Sequence, residues 1–143
     1  MGKDKFSVKR KGKKMYKEVV ISTTIVIAII VLNVVTQNYT KSTVSQIKEH
    51  LDNTKQELVK DEPDYDMALQ KAKQTYEKWE ELYEIIVLYT EHSEIEKVST
   101  AIISMQSFIE MEDDSQAVDS IDRCNYILEN IESKERLSID NIF

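Results

Sequence analysis

Hydrophobic positions divide this chain near residue 36. Before that point lies one unbroken apolar run, Val19 to Val35, which reads VVISTTIVIAIIVLNVV and holds no charged side chain. After it, apolar residues recur every three or four positions, the spacing that gathers them on one face of an α-helix. Four such stripes follow one another. The first is Val44, Ile47, Leu51, Thr54 and Leu58, in a helix that continues from the apolar run to about Lys60. The second is Tyr65, Leu69, Ala72, Tyr76, Trp79, Tyr83 and Ile86, in a helix that starts after Asp61-Glu62-Pro63-Asp64 and ends near Glu91. The third is Ile95, Val98, Ile102, Met105 and Ile109. The fourth is Ala117, Ile121, Cys124, Leu128 and Ile131, in a helix that ends near Arg136. Asp64 is the expected N-cap of the second helix, and Ser93-x-x-Glu96 matches a capping box for the third. Asp113-Asp114-Ser115 breaks the chain and recaps it before the fourth.

Striped helices joined by short polar turns predict an all-α fold, an antiparallel bundle of three to four helices. Composition agrees. The chain has 2 Gly and 1 Pro, with both glycines before residue 13. A sandwich or barrel needs turn residues every 8–12 positions and would be starved of them here.

The apolar run reads as a transmembrane anchor. Its seventeen residues span ~26 Å as a helix, a little less than a ~30 Å hydrocarbon core. Tyr16 and Tyr39 bracket it, as interface aromatics do. A cleaved signal peptide would end in an A-x-A-like site. Asn33-Val34-Val35-Thr36-Gln37-Asn38 offers no small-residue pair, so the anchor is expected to stay.

Charge sets the expected orientation. Residues 1–18 carry eight Lys or Arg against Asp4 and Glu18, and residues 36–143 carry 11 basic and 24 acidic side chains. The positive-inside rule then puts the N-terminus in the cytoplasm and the acidic part outside. The expected organisation is a basic cytoplasmic tail at 1–18, an anchor at 19–35, an acidic helical bundle at 36–136 and an apolar tail at 137–143. Lys9, Arg10, Lys11, Lys13, Lys14 and Lys17 are placed to contact anionic lipid headgroups. An acidic domain repels phosphate backbones, so nucleic acid is not an expected partner.

Candidate chemistry is sparse. His50 and His92 are far apart and lack the helical spacing of a zinc site. Counting twelve from Glu110 reaches Ile121, where a calcium loop of the EF-hand type needs a glutamate. Cys124 is the sole cysteine and reads as a small buried side chain. No Ser-His-Asp pattern, Cys-His pair or glycine-rich phosphate loop occurs. The sequence therefore predicts no catalytic residue, metal ligand or cofactor, and no enzyme. Two features point to binding instead. The aromatic row Tyr76, Trp79, Tyr83, with Tyr65 and Tyr89 nearby, is either core or a partner surface. The apolar end of the chain, with Leu137, Ile139, Ile142 and Phe143, is expected to dock at the base of the bundle, on the bundle itself or on a companion helix.

The layout resembles a family that carries only a domain of unknown function, small single-span helical membrane proteins of Clostridium-like bacteria. The resemblance rests on Met15-Tyr16-Lys17-Glu18 running into the apolar segment, on Tyr76-Glu77-Lys78-Trp79, and on the paired later helices with their acidic joint. It covers about residues 15 to 136. It implies no activity and no site residues, and it implies a multi-span membrane partner. The expected function is an accessory or scaffold subunit that binds membrane lipid and a membrane protein, or a second copy of itself. The alternative is a ligand-sensing domain that relays to a partner through its membrane helix.

Overall fold

The computed structural model describes the backbone of residues 4–88 and 90–140, and the side chains of residues 15–88 and 90–134. Its elements are α1 (Asp4–Leu58), α2 (Tyr65–Ile86), α3 (His92–Glu110) and α4 (Asp114–Asp140), with no strand among the described residues. By internal contact the chain falls into two units, Met1–Asn38 and Tyr39–Phe143.

The first unit holds the apolar run. Its best 18-residue window has a mean hydropathy of 2.6 and none of it is buried, so α1 is long and apolar enough to cross a membrane. Two polar side chains in and beside the run bond within the helix. Thr24 Oγ1 donates to the Val20 carbonyl at 2.8 Å, and Gln37 Nε2 donates to Asn33 Oδ1 at 2.7 Å. That is the requirement lipid places on a spanning segment.

In the second unit all four helices contribute to one core, which includes Ile47 and Leu51, Trp79 and Leu82, Ile102 and Met105, and Ile121 and Leu128. Polar pairs on its surface give the directions of the helices. Lys48 meets Glu129 at 2.8 Å, Asn125 donates to Asp52 at 3.3 Å and Lys55 meets Asp122 at 2.5 Å. Numbers rise along α1 as they fall along α4, so these two helices run in opposite directions. The indole N–H of Trp79 donates to Ser99 Oγ at 2.8 Å, and Gln106 Nε2 donates to the Ala72 carbonyl at 3.2 Å, which gives α2 and α3 the same relation. Lys134 pairs with Glu94 between α4 and α3.

The stripes read from sequence on the first, third and fourth helices are all buried. The second is rotated. Its buried line is Ala68, Ala72, Thr75, Trp79, Leu82 and Ile86, while Tyr65, Leu69, Tyr76 and Tyr83 lie partly buried at its edges. Thr75 enters the core because its hydroxyl donates to the Lys71 carbonyl one turn back, at 3.0 Å. Thr54 does the same with His50 at 2.8 Å.

Helix ends differ from expectation: α2 stops at Ile86, short of Glu91, α4 runs past Arg136 to Asp140, and one cap changes. Asp64 caps α2 as predicted, its carboxylate accepting from the Met67 amide at 2.9 Å. The capping box at Ser93 does not form. The helix starts one residue earlier, Glu91 is the N-cap without a side-chain bond, and Ser93 Oγ bonds to Glu91 Oε1 at 2.9 Å. Ser93 therefore lies inside the first turn and not at the cap position, and its hydroxyl donates to a neighbouring carboxylate.

Glu57 joins the end of α1 to α2. It is buried, with Lys60 on one oxygen and Lys71 on the other, the latter at 2.6 Å. The two ammonium groups, Lys60 first, hold its carboxyl below the ordinary value of 4.5. A lowered native pKa stabilises the fold above the unfolded value, and that contribution is lost as pH falls through the native value. Glu57→Gln should therefore reduce stability at neutral pH, and its gap to the unmodified protein should close below about pH 4.5. Urea unfolding across pH 3 to 7 checks this. A gap that stays constant with pH would separate the destabilisation from the carboxylate's charge.

The α3–α4 joint closes with a left-handed residue. The Glu112 N–H bonds to the Ile109 carbonyl at 3.0 Å and the Asp113 N–H to the Phe108 carbonyl at 2.9 Å, the paired bonds of a Schellman motif. Glu112 has φ 55°, where glycine is favoured. Asp113 then caps α4 through the Gln116 amide at 3.1 Å. Glu112→Gly should raise the denaturation midpoint, since the left-handed conformation costs a non-glycine residue roughly 1–2 kcal/mol. The freer unfolded chain offsets part of that gain. Glu112→Ala removes the same charge and keeps the strain, so it should give no such rise.

Candidate interaction surface

Of the aromatic row, Trp79 is core. It has no exposed surface, donates to Ser99, and meets Tyr83 edge to face with ring centroids 6.3 Å apart. What the row can offer a partner is the outer flanks of Tyr76 and Tyr83. The Glu80 carboxylate beside Tyr76 pushes its phenol above the ordinary range, so the hydroxyl stays a neutral donor. Tyr65 is also pushed up, first by burial and then by Asp114, Glu112 and Asp113. The acidic α3–α4 joint and the start of α2 therefore share one end of the unit.

Other singled-out residues are placed as follows. Cys124 is buried, and burial pushes its thiol up to about 12, which leaves it inert at neutral pH. His92 is exposed and faces Glu96 at 3.5 Å on its own helix. His50 is half-buried on α1. No group of three or more metal-ligating side chains gathers among the described residues. Lys17 is exposed, while the side chains of Lys9, Arg10, Lys11, Lys13 and Lys14 lie outside the described residues. So do Tyr89, Ile142 and Phe143, and the side chains of Leu137 and Ile139.

Sequence reasoning missed a groove. Between α3 and α4 an open depression of about 880 Å³ is lined by residues that include Lys97, Thr100, Ser104, Phe108, Arg123 and Ile127. Arg123 is held by Asp119 at 2.9 Å. Ala101 and Ser120 on its floor are small and buried, which lets the helix backbones approach and leaves the walls standing above them. The groove depends on which residues of two helices come side by side, and no single-helix stripe carries that information. A second, polar crevice of about 480 Å³ lies along α1, with Lys41, Glu49, Asp52 and Glu132 in its walls.

A protein-family model described as a domain of unknown function (DUF4363) matches residues 34–142. The chain belongs to that family. The match begins at Val34, inside the apolar run, and takes in all of the second unit but its last residue. No curated protein and no solved structure matches the chain. The family carries no assigned function, so the chemistry of the site must be argued from the residues themselves.

Proposed function

We propose that this DUF4363 protein is anchored in the cell membrane by one helix, with its N-terminus in the cytoplasm and its acidic domain outside. The domain is an antiparallel helical bundle that works by binding, as an accessory or scaffold subunit of a membrane protein assembly. It has no catalytic role, and nucleic acid is not its partner. The observation that carries this reading is within α1. One helix supplies both an apolar window with no buried residue and the Val44, Ile47, Leu51 and Leu58 wall of a packed core. A polypeptide leaves that much Val and Ile uncovered only where lipid or protein covers it. The +6 flank before the run gives the orientation.

The α3–α4 groove favours a second reading, in which a small ligand binds there and the anchor relays the change to a partner. Purification from membranes in mild detergent separates the two. A stable multi-span companion protein is the expected result. A solitary protein carrying a bound small molecule would favour the sensor, and a solitary empty protein would sink both.

A further inference from the structure

The α3–α4 groove has the shape of a seat for a third helix. On α3 its lining residues Lys97, Thr100, Ser104 and Phe108 recur every three or four positions. They cover ~17 Å, three helical turns. Ser120, Arg123 and Ile127 repeat that spacing on α4. The depression is therefore a trough along both helices. A site for a small molecule encloses most of its ligand. A trough open along its length suits a rod instead, and a helix with its side chains is ~10–12 Å across. The small, buried Ala101 and Ser120 on the floor let a third helix axis come close. Phe108 and Ile127 are only partly buried, and Tyr126 in the wall is 65% exposed. A helix lying in the trough would cover these apolar surfaces.

Charge selects the occupant. Residues 36–143 carry 11 basic and 24 acidic side chains, a net −13. The groove lining reverses that balance, with Lys97 and Arg123 against Glu96. Asp119 holds Arg123 at 2.9 Å, and Glu96 faces His92 at 3.5 Å. Lys97 is the cation left over, since no carboxylate pairs with it among the described residues. The crevice along α1 has neither feature. Lys41, Lys48, Glu49, Asp52 and Glu132 stand in its walls, Lys48 is taken by Glu129, and no apolar side chain lines it. A second copy of the chain is disfavoured as occupant, because it would set one strongly acidic domain against another.

We propose that the α3–α4 groove seats an amphipathic helix of the partner protein, with a carboxylate of that helix on Lys97 and its apolar face over Phe108, Tyr126 and Ile127. This inference rests on the accessory-subunit reading above and names the surface through which the subunit binds. The aromatic wall and the buried floor supply the contact area. The Lys97 ion pair sets the register of the incoming helix and discriminates against basic ones.

A water-soluble carbodiimide, which joins a lysine amine to a carboxylate in contact with it, tests this on membranes holding the full chain. Mass spectrometry should find Lys97 coupled to an Asp or Glu of another protein, in a segment with apolar residues every three or four positions. Lys97→Arg keeps the charge but cannot couple, so the adduct should vanish while the multi-span companion still co-purifies. Lys97→Glu should cut the recovered companion roughly tenfold, as loss of a central contact does. Thr100→Trp fills the trough from an exposed position and should do the same. Ser45→Trp, at an exposed position of the α1 crevice, should change nothing. Circular dichroism of each purified variant checks that the bundle is intact. If the companion is recovered equally with Lys97→Glu and Thr100→Trp, the groove is not its seat and the accessory reading stands alone. Loss with Ser45→Trp as well would also overturn the groove. So would Lys97 coupled to a second copy, to its own chain only or to nothing. If the unmodified protein brings down no companion, the accessory reading itself has failed and this inference with it.

Discussion

Trp79→Ala should lower the stability of the second unit by about 3–5 kcal/mol, the range for emptying a large buried aromatic site. Three losses combine. The ring is fully buried, its edge-to-face contact with Tyr83 disappears, and Ser99 Oγ is left without its 2.8 Å donor. Small domains have about 5–15 kcal/mol in all, so the variant should unfold at far lower denaturant, or not fold. Urea unfolding of the full chain in detergent, followed by circular dichroism, measures it. Trp79→Phe should fall between, because it keeps most of the bulk but loses the N–H; an unpartnered buried group costs roughly 1–3 kcal/mol. Tyr76→Ala, at the edge of the core, should cost much less. An unchanged midpoint for Trp79→Ala would mean that the indole is not in the core and that the aromatic row is open to a partner.

That contrast within one row explains what the sequence could and could not convey. Every expected inward position of the first, third and fourth helices is buried: most are aliphatic or Met, with no polar atom to argue with their periodicity, and Thr54 bonds its hydroxyl to the His50 carbonyl. On α2 the expected stripe runs through tyrosines and passes over Thr75, although a threonine, Thr54, is counted inward on the first helix. The structure sorts them by where their hydroxyls find partners. Thr75 bonds to its own helix and goes inside; Tyr65, Tyr76 and Tyr83 keep an edge toward water. A stripe drawn through the tyrosines is therefore rotated from the true buried line through Ala68, Thr75 and Leu82. The cap at Ser93 fails for a different reason. A three-residue spacing shows that a capping bond can form but does not fix where the helix begins, and with Glu91 as N-cap Ser93 falls inside the first turn. The α3–α4 groove was not legible at all. It follows from register between helices, which is fixed by the assembled core and not by any one segment.

The largest effect expected anywhere in the chain is on membrane retention, and it follows from arithmetic on the apolar run. Val19 to Val35 contains twelve Val, Ile or Leu residues. At about −0.3 to −0.6 kcal/mol each at the centre of a span, they favour insertion by roughly 4–7 kcal/mol before the polar Ser, Thr and Asn are subtracted. One aspartate at the centre costs about 2.5–3.5 kcal/mol, which this run can absorb. Two cost about 5–7 kcal/mol and remove two isoleucines as well. Ile27→Asp should thus leave most of the protein in the membrane, while Ile27→Asp with Ile30→Asp should release it. The measurement is the fraction that stays in the pellet after an alkaline carbonate wash. The second unit has its own core, in which neither residue takes part, so the released protein should still unfold cooperatively. Protease added outside intact spheroplasts should degrade the acidic domain of the unmodified protein and spare the basic tail. If the double variant stays in the pellet, the chain is held there by something other than this run. If the unmodified protein is shortened and soluble, the run is a removed leader. In either case the anchor, and the binding role built on it, should be abandoned.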